Sequence, residues 1–374
     1  MAKTVMLFGT GAVGGQTLLI LAHSKGIDKI ILSGRDEELG VFKMNAAALG
    51  SVDQGITRTY EFLKNDTKDI DTTARLLDKV KPDVVFLSLS VHSPGFIGMT
   101  PLLKGVRERF QEAGFGAQLP WHLLLPAKFM EAIKKSGIQT HIINASFPDI
   151  VNPALWNHFG FGPTVGIGNI DLLAPRIIKH VSDTEGVPVR DVVLSFIGSH
   201  ALMAHGSQAG VPFFLKVYSG DRDITEKYDV NWLTQRQSRS ERLEKEREAI
   251  STYSNHITAA SAVKNILAIL NDTNQYTLAP SPEGLIGGYP VRINARGAKA
   301  ILPKELTLKQ ATKINEDAER FDGIEKIKAD GTIVYTDKTY SAMKELGYDC
   351  KELPFDDIES RSKELEMLIN KLHH

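Results

Sequence analysis

The residues with the clearest chemical potential are three glycines near the start of the chain. Gly9, Gly11 and Gly14 follow the apolar residues 5–8 with the spacing G-x-G-x-x-G, and the apolar residues 17–22 come next. In a strand–turn–helix unit such glycines permit a tight turn, let phosphates approach the backbone and let the helix pack on the strand. The pattern therefore predicts a dinucleotide-binding turn, with the phosphates at the helix N-terminus. The predicted contacts are Gly9, Thr10, Gly11, Ala12, Val13 and Gly14.

The end of the second predicted strand, which covers residues 29–32, indicates which cofactor this turn holds. Ser33 and Arg35 follow the strand, and Asp36 comes next. An NAD site usually has a carboxylate here, which accepts hydrogen bonds from the adenosine ribose. A hydroxyl and a guanidinium instead suit a phosphate on that ribose, because Arg offers planar, charge-assisted donors. We therefore predict NADP as the cofactor, with NAD as the alternative if Asp36 binds the ribose.

Polar residues also follow two later strands. Residues 83–89 predict a central parallel strand that runs into Ser90 and the glycine-containing loop 91–100, and residues 140–143 predict another that ends at Asn144. Open α/β sheets bind ligands at the carboxyl ends of their strands. We therefore expect Ser90 to contact the cofactor and the loop to lie beside the site.

The elements that must position these residues alternate between strand and helix up to about Pro148. This alternation predicts an α/β fold with a Rossmann-type, doubly wound parallel sheet over residues 1–150. A catalytic or substrate-binding region is predicted for residues 151–327 and a C-terminal extension for residues 328–374. Within the second region we expect a long helix from about residue 231 to residue 271, broken near residues 253–255, and a later helix capped by Thr307.

Composition excludes several classes of partner. The 374 residues include 44 basic and 45 acidic side chains, so no net field attracts nucleic acid or an anionic membrane, and a small-molecule substrate is expected. No apolar stretch approaches membrane-spanning length. The single cysteine, Cys350, can form neither an internal disulfide nor a thiolate cluster for a metal. We expect a cytoplasmic protein without a metal site.

Taken in order, these segments resemble the lactate/malate dehydrogenase family up to about residue 325. The resemblance includes the glycine turn, the Gly-Met-Thr of residues 98–100, Asn144 with Pro148, the segments 166–171 and 197–200, and the later segments 284–287 and 294–297. It implies a divergent member of that family: a Rossmann domain followed by an α+β catalytic domain, acting as an NAD(P)-dependent oxidoreductase on a CH–OH group. We also expect a homo-oligomer, a dimer or a tetramer.

The resemblance assigns a role to each of three polar residues. His200 would be the acid/base that moves the hydroxyl proton during hydride transfer, a role that suits a histidine poised near neutrality. Asp171 would hold the other ring nitrogen of His200 and stabilise the imidazolium. Asn144 would bind the substrate oxygen or the nicotinamide ribose.

The chain departs from the family where a substrate carboxylate would be held. The loop 91–100 contains no arginine, and the arginine after Asp171 is displaced to Arg176 beside Pro175. Either Arg176 alone holds a carboxylate, or the substrate has none there, so lactate and malate are not the expected substrates. Phe96, Ile97 and Met99 would close over a larger or less charged group. The predicted substrate contacts are Arg176, Ser254, Asn255 and His256.

Two other function classes remain open from the sequence. One is the NAD-requiring glycosidase family that shares this two-domain fold, but it uses a cysteine and a histidine to hold a metal, and Cys350 lies in the tail. The other is a non-catalytic NADP-binding sensor or scaffold, which the fold alone does not exclude. An Asp171–His200 hydrogen bond beside the nicotinamide position would distinguish the enzyme from the sensor.

Overall fold

A computed structural model describes residues 2–145, 147–235 and 244–373 of the chain. Its centre is a six-stranded parallel sheet with the order β3-β2-β1-β4-β5-β6. The strands are β1 (Thr4–Phe8), β2 (Lys29–Gly34), β3 (Thr59–Lys64), β4 (Val84–Leu87), β5 (His141–Asn144) and β6 (Val165–Gly166). This is the strand order of dinucleotide-binding Rossmann folds, which confirms the predicted doubly wound sheet.

Helices cover both faces of this sheet, because its strands are apolar on both sides. The first helices are α1 (Ala12–Ala22), α2 (Glu37–Asp53), α3 (Ile70–Val80), α4 (Phe96–Met99), α5 (Val106–Ala113), α6 (Leu119–Ser136) and α7 (Val151–Phe159). Along β1, Val5 and Leu7 pack in one buried cluster with α1 and α2, while Met6 and Phe8 pack in another with α3 and α6. The alternation of strand side chains thus fixes which helices lie on which face.

The region after β6 combines two antiparallel sheets with further helices. One sheet contains β7 (Val192–Ile197), β8 (Phe214–Ser219) and β9 (Arg222–Asp223), and the other contains β10 (Gln275–Pro280), β11 (Gly288–Asn294) and β12 (Gly297–Ala300). The helices are α8 (Ile170–Glu185), α9 (His200–His205), α10 (Val230–Thr234), α11 (Glu244–Leu270) and α12 (Leu308–Glu319). Thr307 caps α12 in a capping box with Gln310, as predicted.

The end of the chain forms a third antiparallel sheet of β13 (Ile324–Ile327), β14 (Ile333–Tyr335) and β15 (Glu352–Leu353), with helices α13 (Asp337–Glu345) and α14 (Ile358–Lys371). These elements share a buried apolar cluster with α5 and α6. Trp121 of α6 is fully buried there, and its Nε1–H donates to the carbonyl of Ser362 at 3.2 Å. The extension is therefore packed against the first region rather than standing apart.

Three details differ from the sequence expectations. The parallel sheet continues past residue 150, since β6 is its sixth strand. The third antiparallel sheet spans residue 327, where a boundary was predicted, because β13 pairs with β14. The predicted helix break near residues 253–255 is wrong, because α11 runs through these positions without interruption. None of the described helices combines the length and apolar composition needed to cross a membrane.

Candidate functional site

A cavity of about 560 Å³ opens at the carboxyl ends of the parallel strands. We call one part of it the glycine-turn half, and its lining residues include residues 9–14, Ser33, Gly34, Arg35 and residues 65–68. We call the other part the His200 half, lined by His122, Leu125, Phe147, Asn169, Leu172, His200, Met203, Asn255 and Thr258. Ser88, Leu89, Ser90, Val91, Ser93 and Pro94 follow β4 and line the cavity as well.

The glycine turn has the geometry that its spacing predicts. Gly9 has a φ of +111°, and a Cβ there would lie 2.5 Å from the Ser88 carbonyl oxygen. A Cβ on Gly14 would lie 2.1 Å from the Gly9 carbonyl oxygen, whereas one on Gly11 would meet nothing within 4 Å. Gly11 is the N-cap of α1 and makes no side-chain cap. The start of α1 thus has no side-chain cap and lines the cavity, which suits a diphosphate.

The cavity lining beside the end of β2 combines a hydroxyl and two cations, one of which comes from the segment after β3. Ser33 is buried, and its Oγ has no hydrogen-bond partner in the described part of the chain. Arg35 and Lys68 are exposed and line the cavity beside it. Asp36 instead caps α2, where its carboxylate accepts from the Leu39 N–H at 2.9 Å. The residues at the end of β2 therefore present donors, while a carboxylate, that of Asp66 after β3, also lines this part of the cavity.

His200 begins α9 and is held by two buried carboxylates. Its Nδ1 lies 2.7 Å from Oδ2 of Asp322, and its backbone N–H donates to Oδ2 of Asp149 at 2.7 Å. The rings of Phe115 and Phe147 pack against the imidazole at centroid distances of 4.6 and 5.1 Å. With Nδ1 occupied by Asp322, Nε2 is the nitrogen left to act on a ligand in the cavity.

The electrostatics of this pair favour the charged imidazolium. Burial alone would lower the pKa of His200, but the charge and hydrogen bond of Asp322 outweigh it and raise the pKa above its ordinary value. Burial acts to raise the pKa of Asp322, yet the interaction with His200 keeps it below its ordinary value. Burial raises the pKa of Asp149 to about 6. A histidine in this setting can hold a proton near neutral pH and release it to a substrate.

The predicted Asp171–His200 pair does not form. Asp171 lies in the first turn of α8, where its carboxylate binds Lys264 Nζ at 2.6 and 2.7 Å and accepts from Ser261 Oγ at 2.5 Å. Both partners belong to α11, so Asp171 joins two helices. The prediction is wrong because a lysine one helix away neutralises Asp171, while Asp322, distant in sequence, takes the position beside His200.

Two other predicted residues also lie outside the cavity lining. Asn144 is fully buried at the end of β5, and its Nδ2 donates to Asn152 Oδ1 at 2.7 Å. Arg176 is exposed on α8. The geometry therefore gives no support to an Asn144 contact with substrate or ribose, or to Arg176 as a carboxylate clamp. Ala145 and Phe147, which follow Asn144, do line the cavity.

Of the remaining predicted contacts, two line the cavity and two do not. Ser90 lines the cavity, and its Oγ donates to the His92 carbonyl at 2.7 Å. Asn255 lines the His200 half from α11, together with Thr258 one turn on, but Ser254 and His256 are exposed and lie outside the lining.

The residues expected to close over the substrate do not line the cavity in this structure. Phe96 stacks on His92 at 3.9 Å, Ile97 is buried, and Met99 is 73% exposed. The loop contributes Val91, Ser93 and Pro94 to the lining instead.

Sequence reasoning missed several residues of the site. Asp322 and Asp149 contact His200, while His122, Asn169 and Lys68 line the cavity. Asn169 directly precedes α8 with a φ of +57°, unusual for a residue other than glycine, and its amide donates to Asp149. A strained residue beside a cavity is a functional signal, but it becomes visible only in the structure. The remaining residues have ordinary local sequence contexts.

The glycosidase alternative depends on a cysteine near the site. Cys350 is buried in the C-terminal extension, where its Sγ–H donates to the Glu352 carbonyl at 3.1 Å, and it does not line the cavity. Among the described residues, no group of three or more His, Cys, Asp and Glu side chains has a geometry that could hold a metal. The ligand set of that family is therefore not assembled here.

No protein-family model matches the sequence. No curated protein matches it either. Solved structures do share the fold. Malate dehydrogenase from Picrophilus torridus is 16% identical, with a TM-score of 0.59 over 86% of this chain and 98% of that one. Malate dehydrogenase from Aeropyrum pernix is 17% identical, with a TM-score of 0.57 over 85% and 97%.

Lactate dehydrogenase from Cryptosporidium parvum, in complex with lactic acid and β-nicotinamide adenine dinucleotide, is similar to the same degree. It is 18% identical, with a TM-score of 0.57 over 86% of this chain and 98% of that one. The chain thus has the two-part fold of lactate and malate dehydrogenases, and the fold expected from the resemblance is confirmed. The low identity fits a divergent sequence on that fold.

Proposed function

We propose that this protein is an NADP-preferring oxidoreductase that acts on a small hydroxy or oxo compound other than lactate or malate. The observation that carries the proposal is one continuous cavity, which joins the glycine turn to an imidazole held by a buried carboxylate. A protein that only sensed NADP would need the first half of this cavity and not the second.

The described residues fit a dinucleotide. The N–H groups at the start of α1 would hold the diphosphate, and Ser33, Arg35 and Lys68 would hold a phosphate on the adenosine ribose. Ser90 would lie along the nicotinamide portion. When bound, the reduced cofactor would supply a hydride to the carbonyl carbon of an oxo substrate.

The protein's part in the reaction is to move the accompanying proton. His200, protonated and paired with Asp322, would donate the proton on Nε2 to the carbonyl oxygen, and in the reverse direction the neutral ring would take the hydroxyl proton. Asp322 would fix the ring orientation and stabilise the imidazolium, the role that the resemblance had assigned to Asp171. Phe115 and Phe147 would exclude water around the ring.

Two measurements test the proposal. Fluorescence titration should give tighter binding of NADPH than of NADH. Absorbance of the reduced cofactor should then fall with a panel of uncharged oxo compounds and change little with pyruvate or oxaloacetate. Equal affinity for both cofactors would contradict the NADP preference, and efficient turnover of pyruvate or oxaloacetate would contradict the substrate class.

The homo-oligomer expected from the sequence stays a prediction. Phe42, Leu49 and Val52 are 69%, 69% and 61% exposed on one side of α2. An apolar strip of this kind is typical of a surface that another copy covers. Light scattering on the purified protein decides between a monomer and a dimer or tetramer.

A further inference from the structure

The His200 half contains a second histidine that the proposed reaction does not use. His122 lies in the first turns of α6, lines the cavity and is 1% exposed. Its Nε2 is buried and has no hydrogen-bond partner among the described residues. Buried polar side-chain atoms are nearly always hydrogen-bonded, because leaving one unpaired costs free energy. A buried, unpaired imidazole nitrogen at a cavity therefore indicates a ligand atom that completes it.

The surroundings of His122 place it beside the reacting end of the cavity. The Phe147 ring contacts both imidazoles, with centroid distances of 5.1 Å to His122 and 5.1 Å to His200. Leu125, one turn further along α6, lines the same half. A molecule that reaches Nε2 of His200 thus lies in the same compartment as His122.

The charge of the two halves differs. Among the described residues that line the cavity, the Lys and Arg side chains are Arg35 and Lys68, and both belong to the glycine-turn half. The described lining of the His200 half offers imidazole and amide groups instead. A substrate carboxylate would find no guanidinium or ammonium partner among these residues.

We propose that His122 is a specificity-determining residue whose imidazole hydrogen-bonds a second, uncharged oxygen of the substrate. The substrate class is then an oxo compound with a nearby hydroxyl group, or the corresponding diol in the oxidative direction. This inference rests on the proposed function, since it names the substrate class of the same site.

The protonation state of His122 supports this role. Burial, with the nearby charge of His200, lowers the pKa of His122 to about 4, so the ring is neutral at neutral pH. A neutral imidazole carries one N–H donor and one acceptor nitrogen, and it matches a hydroxyl group, which can accept or donate. It gives no charge to a carboxylate.

The test uses three small probes with NADPH: acetoin, which has a hydroxyl next to its carbonyl; butanone, which has the same carbon chain without it; and pyruvate. The kcat and KM of each are measured for the wild type, His122→Leu and His122→Gln. His158→Leu is the control, because His158 is exposed on α7 and lies outside the cavity lining. Thermal unfolding shows that each variant is folded.

The wild type should prefer acetoin over butanone by about tenfold in kcat/KM, the effect of one neutral hydrogen bond. His122→Leu should abolish this preference, chiefly through the KM for acetoin, and leave butanone within about twofold. Gln, which keeps a donor and an acceptor, should restore part of it. If His122 had only a structural role, its substitution would lower kcat/KM for acetoin and for butanone by the same factor. An unchanged acetoin-to-butanone ratio in His122→Leu, or a wild-type preference for pyruvate, would overturn the inference.

Binding provides a readout that does not need turnover. In the His200→Ala background with NADPH bound, calorimetry compares acetoin binding with and without His122→Leu. Weaker acetoin binding upon loss of His122, together with a wild-type protein that reduces none of the probes, would support the inference and count against the proposed function. If the wild type reduces the probes but does not distinguish acetoin from butanone, the proposed function is supported and the inference about His122 is contradicted. Absence of both binding and turnover would overturn both.

Discussion

The two halves of the cavity are built in different ways. The glycine-turn half comes from residues 9–14, 33–35 and 65–68, at the carboxyl ends of three neighbouring strands, and it presents backbone N–H groups, two cations and the carboxylate of Asp66. The His200 half comes from α6, α8, α9 and α11, and its described lining offers buried imidazoles and amides. The first half therefore suits binding of a charged group that many proteins share. The second suits selection of one uncharged molecule and the transfer of its proton.

Because of this difference, substitutions in the glycine-turn half and in the His200 half should have different consequences. A cation on an exposed loop contributes to cofactor affinity, whereas a buried imidazole and its carboxylate contribute to the chemical step. Substitutions in the two halves should accordingly change different kinetic parameters, and each prediction below tests that separation.

The largest effect is expected for His200→Ala. Turnover should fall by a hundredfold or more, since general acid–base groups contribute on the order of 10²–10⁴-fold. NADPH affinity, measured by fluorescence titration, should change little. His180→Ala is a suitable control, because His180 packs on Trp232 at 5.0 Å outside the cavity lining. Near-normal turnover of a true substrate by His200→Ala would show that His200 is not the general acid–base group.

Asp322→Asn should lower turnover by up to about a hundredfold, part of the general acid–base contribution, and should also alter its pH dependence. In the wild type, carbonyl reduction needs protonated His200, so kcat/KM falls as pH rises through the raised pKa of His200. Without the charge of Asp322, burial dominates and lowers that pKa. The fall in kcat/KM should therefore move to lower pH, by about one pH unit or more.

A pH–rate profile of kcat/KM for the wild type and Asp322→Asn checks this. A variant that loses rate equally at every pH, with the descending limb in its wild-type position, would assign Asp322 to folding rather than to His200. Thermal unfolding of the variant provides the corresponding control.

A smaller effect, in the other half, is expected for Arg35→Ala. The preference for NADPH over NADH should fall by about tenfold to a hundredfold, because one charge-assisted hydrogen bond contributes about 1.5–3 kcal/mol. The kcat with saturating NADPH should remain close to wild type. Arg296→Ala serves as the control, since Arg296 is exposed in the turn between β11 and β12. If Arg35→Ala left the cofactor preference intact, the phosphate assignment would be wrong.

The contrast between the halves also explains how much the sequence could predict. Apolar strands and the glycine spacing are local patterns, and they predict the sheet and the turn without reference to long-range contacts. His200 was found from the resemblance, but its partner Asp322 lies 122 positions away, and its short segment carries no motif. The resemblance assigned that place to Asp171, and no local pattern indicated its ion pair with Lys264, which lies 93 positions away.

The prediction of a helix break near residues 253–255 was wrong for a related reason, because long-range packing outweighs the local sequence. Tyr253, Ser254 and Asn255 are weak helix formers, which favoured an interruption. Farther along α11, Ala262, Val263 and Ile266 pack in the core beneath the sheet. This packing stabilises a continuous helix more than local propensity disfavours it. The continuous helix brings Asn255 and Thr258 to the cavity and leaves Ser254 and His256 in solvent, which the sequence could not distinguish.

The smallest effect on turnover is expected for Asp171→Asn, the reverse of what the sequence predicted. Asp171 binds Lys264 and Ser261, and Lys264 also donates to the Leu278 carbonyl at 3.1 Å, so these contacts join α8, α11 and β10. The variant should keep kcat/KM within about threefold but lose about 1–3 kcal/mol in free energy of unfolding, because Lys264 keeps its charge without its partner. Lys264 is 23% exposed, so water limits the cost.

Urea denaturation and steady-state kinetics on the same preparations measure both quantities. Lys264→Gln is the matched variant, and the double variant should lose less stability than the two single losses added together, since both remove one interaction. A loss of turnover in Asp171→Asn as large as that in His200→Ala, with unfolding unchanged, would return Asp171 to the chemical step.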